Sequence, residues 1–255
     1  MTEPRSYTVV TIFPELIDAF RRVGIVRKAC DQGLAVISAL NPRDFTLDAR
    51  RTVDDAPYGG GPGMVMLAVP LVRALASLPR QGAQSPHVIG LSPQGRRLDE
   101  RGLVELQRHA HLAFLAGRYE GIDERVMARH VDSEWSLGDF VMSGGEIAAM
   151  AIIDSLIRRL PGALGDSRSA VEDSFADGLL DHPHYSRPEV LDGDAVPPIL
   201  LSGNHAEIAR WRRQQALGRT WLRRPDLLAL AKLSAADREL LEDFIAALEA
   251  NSKES

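Results

Sequence analysis

A lone cysteine, Cys30, excludes an internal disulfide, and no cluster of Cys and His has zinc-finger spacing. No stretch approaches 18 consecutive apolar residues, so no membrane-spanning helix is expected. The opening MTEPRSYTVVTIF lacks a basic region followed by a long apolar run and does not read as a secretory signal. A Gly-Lys-Ser/Thr ending is missing from the Gly-rich segment, as is the GxGxxG dinucleotide spacing, because Met64 follows Gly63. The net charge of −5 excludes a generally basic surface, so any nucleic-acid contact must come from a local patch. A reducing, cytoplasmic protein without membrane contact is expected.

What remains is ordinary globular material: 255 residues, 45% hydrophobic and 25% charged, enough for one large or two modest domains. Tyr7–Phe13 is rich in β-branched and aromatic residues and predicts a strand. Leu16, Phe20, Val23 and Val26 recur at helical spacing after Pro14. Leu34–Leu40 predicts a second strand, and Met64–Leu78 a helix with Pro70 in its first turns or kinking it. Apolar runs at His87–Leu91, Leu112–Ala116 and Val131–Trp135 then alternate with helical segments (98–109, a segment ending near 129, and 146–159). Uniformly apolar strands separated by helices predict a buried parallel sheet, whose ligands bind beyond the carboxyl ends of the strands. Three strand-end loops would therefore line one site: Ser92-Pro93-Gln94-Gly95, Gly117–Gly121 and the stretch SEWSLGDFVMSGGE (Ser133–Glu146). Gly144 and Gly145 would supply backbone freedom before the last helix. The final third predicts helices over 204–219, 225–233 and 234–250 and no strand, with Ser234 and Asp237 as an N-terminal cap.

Other segments carry chemistry of their own. Gly59–Gly61 in TVDDAPYGGGPGM would let the backbone approach a phosphate or form a surface turn. Glu120, between a strand and a helix, is not accounted for by helix formation. Asp181, His182 and His184 are compatible with a metal only if the fold supplies good three-donor geometry. Asp173, beyond a small polar linker, suits a general base assembled when substrate binds, or else a helix cap. Gly203–Arg224 holds six arginines against one acid, Glu207, a local +5, with Trp211 and Trp221 interleaved. Arginine forks and stacking aromatics suit RNA or DNA; a solvated helix face is the plainer reading.

VDDAPYGGGPGM, GRYEGIDER, WSLGDFVMSGGE, EDSFADGLLDHPHYSRPEVL and LLSGNHAEIARWRRQQALGRTWLRRP together resemble the motif set of the bacterial tRNA (guanine-N1)-methyltransferases, from Phe13-Pro14-Glu15 to about Arg224-Pro225. Phe140 and Met142 stand where Tyr and Leu are usual, and Ser186 where Thr is common, so Phe140 is given no polar role.

The resemblance implies an α/β fold with a parallel sheet and the deep C-terminal trefoil knot of the SPOUT methyltransferases, plus a small all-helical C-terminal domain. The divisions would be a knotted domain over 1–160, a linker over 161–176 and a helical tRNA-binding domain over 177–255. It implies a homodimer with active sites at the subunit interface, S-adenosylmethionine as methyl donor, and N1 of guanine 37 of tRNA as target. Ser92, Pro93, Gly117, Tyr119, Glu120, Ser136, Leu137, Gly138, Asp139, Phe140, Val141, Met142, Gly144 and Gly145 would hold the donor. Asp173 would act as general base and Arg158 would stabilise charge on the guanine. Mg2+ assistance is implied without identified ligands, Glu120 being one candidate. The RNA would meet Asp54, Tyr58, Gly59, Gly60, His184, Arg187, Asn204, His205, Arg210, Arg213, Arg219 and Arg223. Two rivals stand beside this: a related enzyme acting on another RNA position, and a non-catalytic RNA-binding protein.

Overall fold

The computed structural model describes residues 3–79, 85–165 and 173–253, with side chains described to residue 250. Residues 166–172 of the linker expected over 161–176 lie outside them. The chain divides into two compact units, Met1–Ser167 and Arg168–Ser255.

The first unit is built on five parallel strands, β1 (Arg5–Val10), β2 (Ala35–Leu40), β5 (His87–Arg97), β6 (His111–Ala116) and β7 (Ser133–Ser136). They lie in the order β2-β1-β6-β5-β7. Every residue of β6 is buried, as a central strand covered on both faces requires. Helices α1 (Pro14–Phe20), α2 (Gly24–Asp31), α4 (Glu100–Leu106) and α6 (Glu146–Ile157) surround the sheet. Ile152, Ile153, Leu156 and Ile157 of α6 join Val9, Ile89, Phe114 and Trp135 in the main core. Helices α3 (Ala68–Ala76) and α5 (Glu124–His130) contribute to a second cluster around Leu115 and Met66. Among the described residues, no helix is long and apolar enough to cross a membrane.

Three expectations about the first unit need correction. The apolar period from Leu16 to Val26 is divided between α1 and α2, because Gly24 takes φ +56° and interrupts helical continuity. Met64–Leu78 begins as strand β4 (Val65–Met66), paired with β3 (Asp54–Asp55), before α3 starts. Met66 donates its N–H to Gly121 and is 1% exposed, so tertiary burial overrides local helix preference there; Pro70 does sit in the first turn of α3. Ser92–Gly95 is not a plain strand-end loop but an excursion inside β5, whose pairing with β7 stops at Leu91 and resumes at Arg96. Gly95 is required where it rejoins, since a Cβ would lie 2.5 Å from the Trp135 nitrogen.

The second unit holds the helices His205–Arg223, Pro225–Leu230 and Ala235–Lys253, close to expectation. Its core gathers Leu179, Leu217 and Leu240, and the two long helices approach so closely that a Cβ on Gly218 would lie 2.4 Å from the Phe244 ring. Asn204 caps the first helix, while Ser234 and Asp237 form the expected reciprocal cap. The unit is not wholly helical: Val190–Leu191 and Asp194–Ala195 pair as a two-residue hairpin around Asp192-Gly193, both with positive φ.

Candidate functional site

The carboxyl ends of β5, β6 and β7 open into one cavity of about 410 Å3, within the range of small-ligand sites. Leu91–Gln94 line it from β5, Gly117–Ile122 from the β6 loop, and Glu134–Gly138 with Phe140–Gly145 from the β7 loop. Met127 and Ala148 add apolar surface. The three loops singled out in the sequence thus meet.

Of the residues expected to hold the donor, Asp139 alone does not line the cavity. Phe140 donates its N–H to the Gly138 carbonyl at 2.9 Å, a three-residue turn with Asp139 exposed at its apex. The serines shape the loops. Ser136 Oγ donates to the Gly138 carbonyl at 3.0 Å and accepts from the Gly138 N–H, and Ser92 Oγ accepts from the Gln94 N–H at 3.0 Å. Phe140 and Val141 lie at the cavity's edge, both exposed.

Gly144 and Gly145 serve space rather than backbone freedom, since neither has positive φ. A Cβ on Gly144 would lie 2.1 Å from Arg118 Nε, and one on Gly145 would lie 2.8 Å from the Ala116 Cα. The Gly145 N–H donates to the Gly117 carbonyl at 2.9 Å, so the chain leaving β7 passes β5 and closes against the end of β6. Glycine is what lets it come so near.

That approach encloses a charged pair which sequence reasoning missed. Glu146, 1% exposed, accepts from the Thr11 hydroxyl at 2.7 Å and from Arg118 Nε at 2.9 Å. Arg118 also donates to the Ser143 carbonyl at 3.2 Å and lies over the Phe13 ring. In sequence, Glu146 is indistinguishable from an ordinary acid in a first helical turn; its one signal is its place at the head of the apolar run Ile147–Ile153.

The Gly-rich segment leans on the same site. Glu120 donates its N–H to the Met64 carbonyl, and a Cβ on Gly63 would meet the Glu120 carboxylate. Tyr119 takes φ +62°; burial first, and then the charge and hydrogen bond of Asp54, raise its hydroxyl pKa, with Arg43 opposing. Asp54 therefore stands beside the cavity's edge. Tyr58 is fully exposed, next to Gly59 and Gly60 at φ +87° and +76°. Arg158 follows α6, half-buried, and the neighbouring Arg159 is committed to Glu100.

In the second unit, Asp173 is half-buried in a short turn, its carbonyl accepting from the Ala176 N–H at 3.2 Å. The basic helix is less free than its composition suggests. Arg213 is held by Asp237 at 2.7 Å and by Asp177, Arg224 by Asp226 at 2.6 Å, and Arg210 lies 3.4 Å from Asp243. Among the described residues, Arg212, Arg219 and Arg223 have no carboxylate within ion-pair distance. Asn204 is already used as a cap, whereas His184, Arg187 and His205 are exposed. Asp181 accepts from His184 at 2.9 Å; burial alone would raise its carboxyl pKa, but that bond and the His182 N–H hold it below the ordinary range.

Residues 6–230 match the family model of tRNA (Guanine-1)-methyltransferase TrmD. The chain is similar to proteins named tRNA (guanine-N(1)-)-methyltransferase. That of Photorhabdus laumondii is 56% identical over 236 residues, covering 92% of this chain and 94% of the relative. That of Photobacterium profundum is 53% identical over 237 residues, covering 93% and 95%. That of Salmonella schwarzengrund is 55% identical over 236 residues, covering 92% of each. The chain belongs to the TrmD family of tRNA (guanine-N1)-methyltransferases.

Proposed function

We propose that the protein transfers a methyl group from S-adenosylmethionine to N1 of guanine 37 in tRNA. The observation that carries this reading is the convergence of three loops on one cavity in a chain of this family. The lining suits the donor: Leu91, Leu137, Met142 and Ala148 offer apolar surface for a purine, while Glu120 and Glu134 offer carboxylates to polar groups and a cation. When bound there, S-adenosylmethionine supplies an electrophilic methyl on a sulfonium.

The residues must then activate a poor nucleophile. Guanine N1 carries a proton at neutral pH, and Asp173 is assigned as the base that accepts it. Arg158 faces the charge that develops on guanine O6 as the proton leaves. Orientation supplies the rest, since a displacement at methyl needs in-line approach. Mg2+ assistance rests on the family resemblance. Glu120 would offer one carboxylate, fewer than a protein cage needs, so water and RNA oxygens would have to complete the coordination of a Mg2+ held there.

The reading extends to the trefoil knot, to a reducing cytoplasmic setting, and to a homodimer in which one subunit supplies the loops and the other Asp173. The return of the chain after β7 to Gly117 supports the knot, and the placement of Asp173 beyond residues 166–172 supports a shared site. Arg212, Arg219 and Arg223, without an ion-pair partner among the described residues, are the cations proposed to grip the anticodon arm, with the target base turned out of its stack.

The test is transfer of labelled methyl to tRNA transcripts carrying guanine 37 or a substitute. The expected product is 1-methylguanine, lost on substitution. Methylation elsewhere that survives Asp173→Ala would favour an enzyme of another RNA position, and failure to bind S-adenosylmethionine would leave a non-catalytic RNA-binding protein.

A further inference from the structure

Three donor atoms converge in the second unit. Asp181, His182 and His184 each present one ligand atom, and these lie within 4.8 Å of one another. His184 Nε2 is 2.9 Å from Asp181 Oδ2, and His182 Nε2 is 3.7 Å from Asp181 Oδ1. An ordinary histidine–carboxylate hydrogen bond explains the first distance. It does not explain why a second imidazole faces the same carboxylate.

The orientation of His182 is informative. Its Nδ1 lies 3.1 Å from the Pro183 carbonyl oxygen, which can only accept, so in the neutral ring the hydrogen sits on Nδ1. The Nε2 lone pair then faces Asp181 Oδ1, which already accepts from the His182 backbone N–H at 2.7 Å, and the 3.7 Å between the two acceptors leaves room for a cation. A ligating histidine whose other ring nitrogen is held by a backbone carbonyl is the arrangement metal sites use to orient imidazole. The backbone that carries the carboxylate is anchored too: the Asp181 N–H donates to Ser174 Oγ at 2.9 Å, and the Leu180 N–H to the buried Thr220 hydroxyl at 2.9 Å.

We propose that Asp181, His182 and His184 form a binding site for a first-row divalent transition ion of the zinc, cobalt or nickel class. Metal–ligand bonds of about 2.0–2.1 Å in tetrahedral geometry set donors roughly 3.3 Å apart. The distances from the two imidazoles to the two carboxylate oxygens, 2.9 and 3.7 Å, fall either side of that value, and closure of the three donors, all within 4.8 Å, needs only a small movement of the 71% exposed His184. Two imidazoles select against Mg2+, which prefers oxygen ligands, so this site is distinct from any ion acting with the RNA. Three protein donors leave a fourth position for water or a ligand oxygen. The proposal does not depend on which RNA position is methylated.

The full-length protein is titrated with Co2+, reading visible ligand-field bands and calorimetric stoichiometry. Wild type binds one equivalent with bands of low-symmetry coordination; Zn2+ abolishes them and excess Mg2+ does not. His184→Gln, on an exposed side chain, keeps the fold by circular dichroism and weakens binding about 100-fold or more, beyond the roughly 10–100-fold of losing an outer-shell partner. His182→Gln removes the bands as well, and His130→Gln, elsewhere on the surface, leaves them unchanged. Absence of stoichiometric binding, or binding by His184→Gln within about twofold of wild type, overturns the site.

Discussion

Arg118, on the loop after β6, donates Nε to the Glu146 carboxylate at 2.9 Å, joining that loop to the first residue of α6 beneath the cavity. The acid is 1% exposed and the arginine side chain 21%. Breaking one member of a pair this deeply set leaves a buried charge uncompensated, at a cost of about 3–5 kcal/mol. Arg118→Met alone should lower the unfolding free energy in urea by about that amount. Adding Glu146→Gln should return much of the loss. Strict additivity of the two effects would contradict the pairing.

The spatial role of the two loop glycines gives a graded series. In Gly145→Ala the new methyl meets backbone, which cannot yield, so the α6 start must move from β6. In Gly144→Ala it meets the Arg118 side chain, which can shift only by releasing Glu146. Both should weaken S-adenosylmethionine binding by an order of magnitude or more in calorimetry. Gly165→Ala, with nothing within 4 Å, should stay within about 0.5 kcal/mol of wild-type stability.

Acid should loosen the second unit through Asp237. The side-chain hydrogen bond from Arg213, chiefly, holds its folded pKa at about 2 against the ordinary 3.8. The native state therefore binds fewer protons than the unfolded chain. The stabilisation is complete above about pH 4 and is lost as pH falls through about 2. It amounts to roughly 2 kcal/mol, and Asp237→Asn should remove it at neutral pH and flatten the acid limb of the stability curve.

The arginines of His205–Arg223 should separate by phenotype. Removing Arg223 or Arg219 should lower the salt dependence of tRNA affinity by about 0.7 in log–log slope for each phosphate that is no longer neutralised, leaving stability unchanged. Arg213→Ala should instead destabilise, because Asp177 and Asp237 lose their partner. Equal salt slopes in all three variants would place the RNA elsewhere.

Asp173→Asn should reduce single-turnover methyl transfer by about 10²–10⁴-fold while S-adenosylmethionine binding stays near wild type. In mixed dimers of Asp173→Ala with a cofactor-loop variant such as Gly145→Ala, a composite site predicts recovered activity. Its complete absence would count against shared sites.

Local pattern alone determined the parallel α/β framework and the three loops that meet. Uniform apolar runs such as Leu112–Ala116 are what a strand covered on both faces requires, and glycines at strand ends are readable without partners. The cap at Ser234 and Asp237 was legible for the same reason. Tertiary structure decided what depends on residues far apart in the chain. Glu146 becomes a buried ion-pair partner because Thr11 and Arg118, 135 and 28 residues away, arrive beside it. Met66 becomes strand because Gly121 accepts its N–H, and Arg213 loses its freedom because Asp177 and Asp237 reach it. Asp139 turns outward on a hydrogen bond that spans two residues, yet the cavity it leaves belongs to three loops. Periodicity reports one element's preference for being buried, while burial, pairing and neutralisation are set by what packs against it.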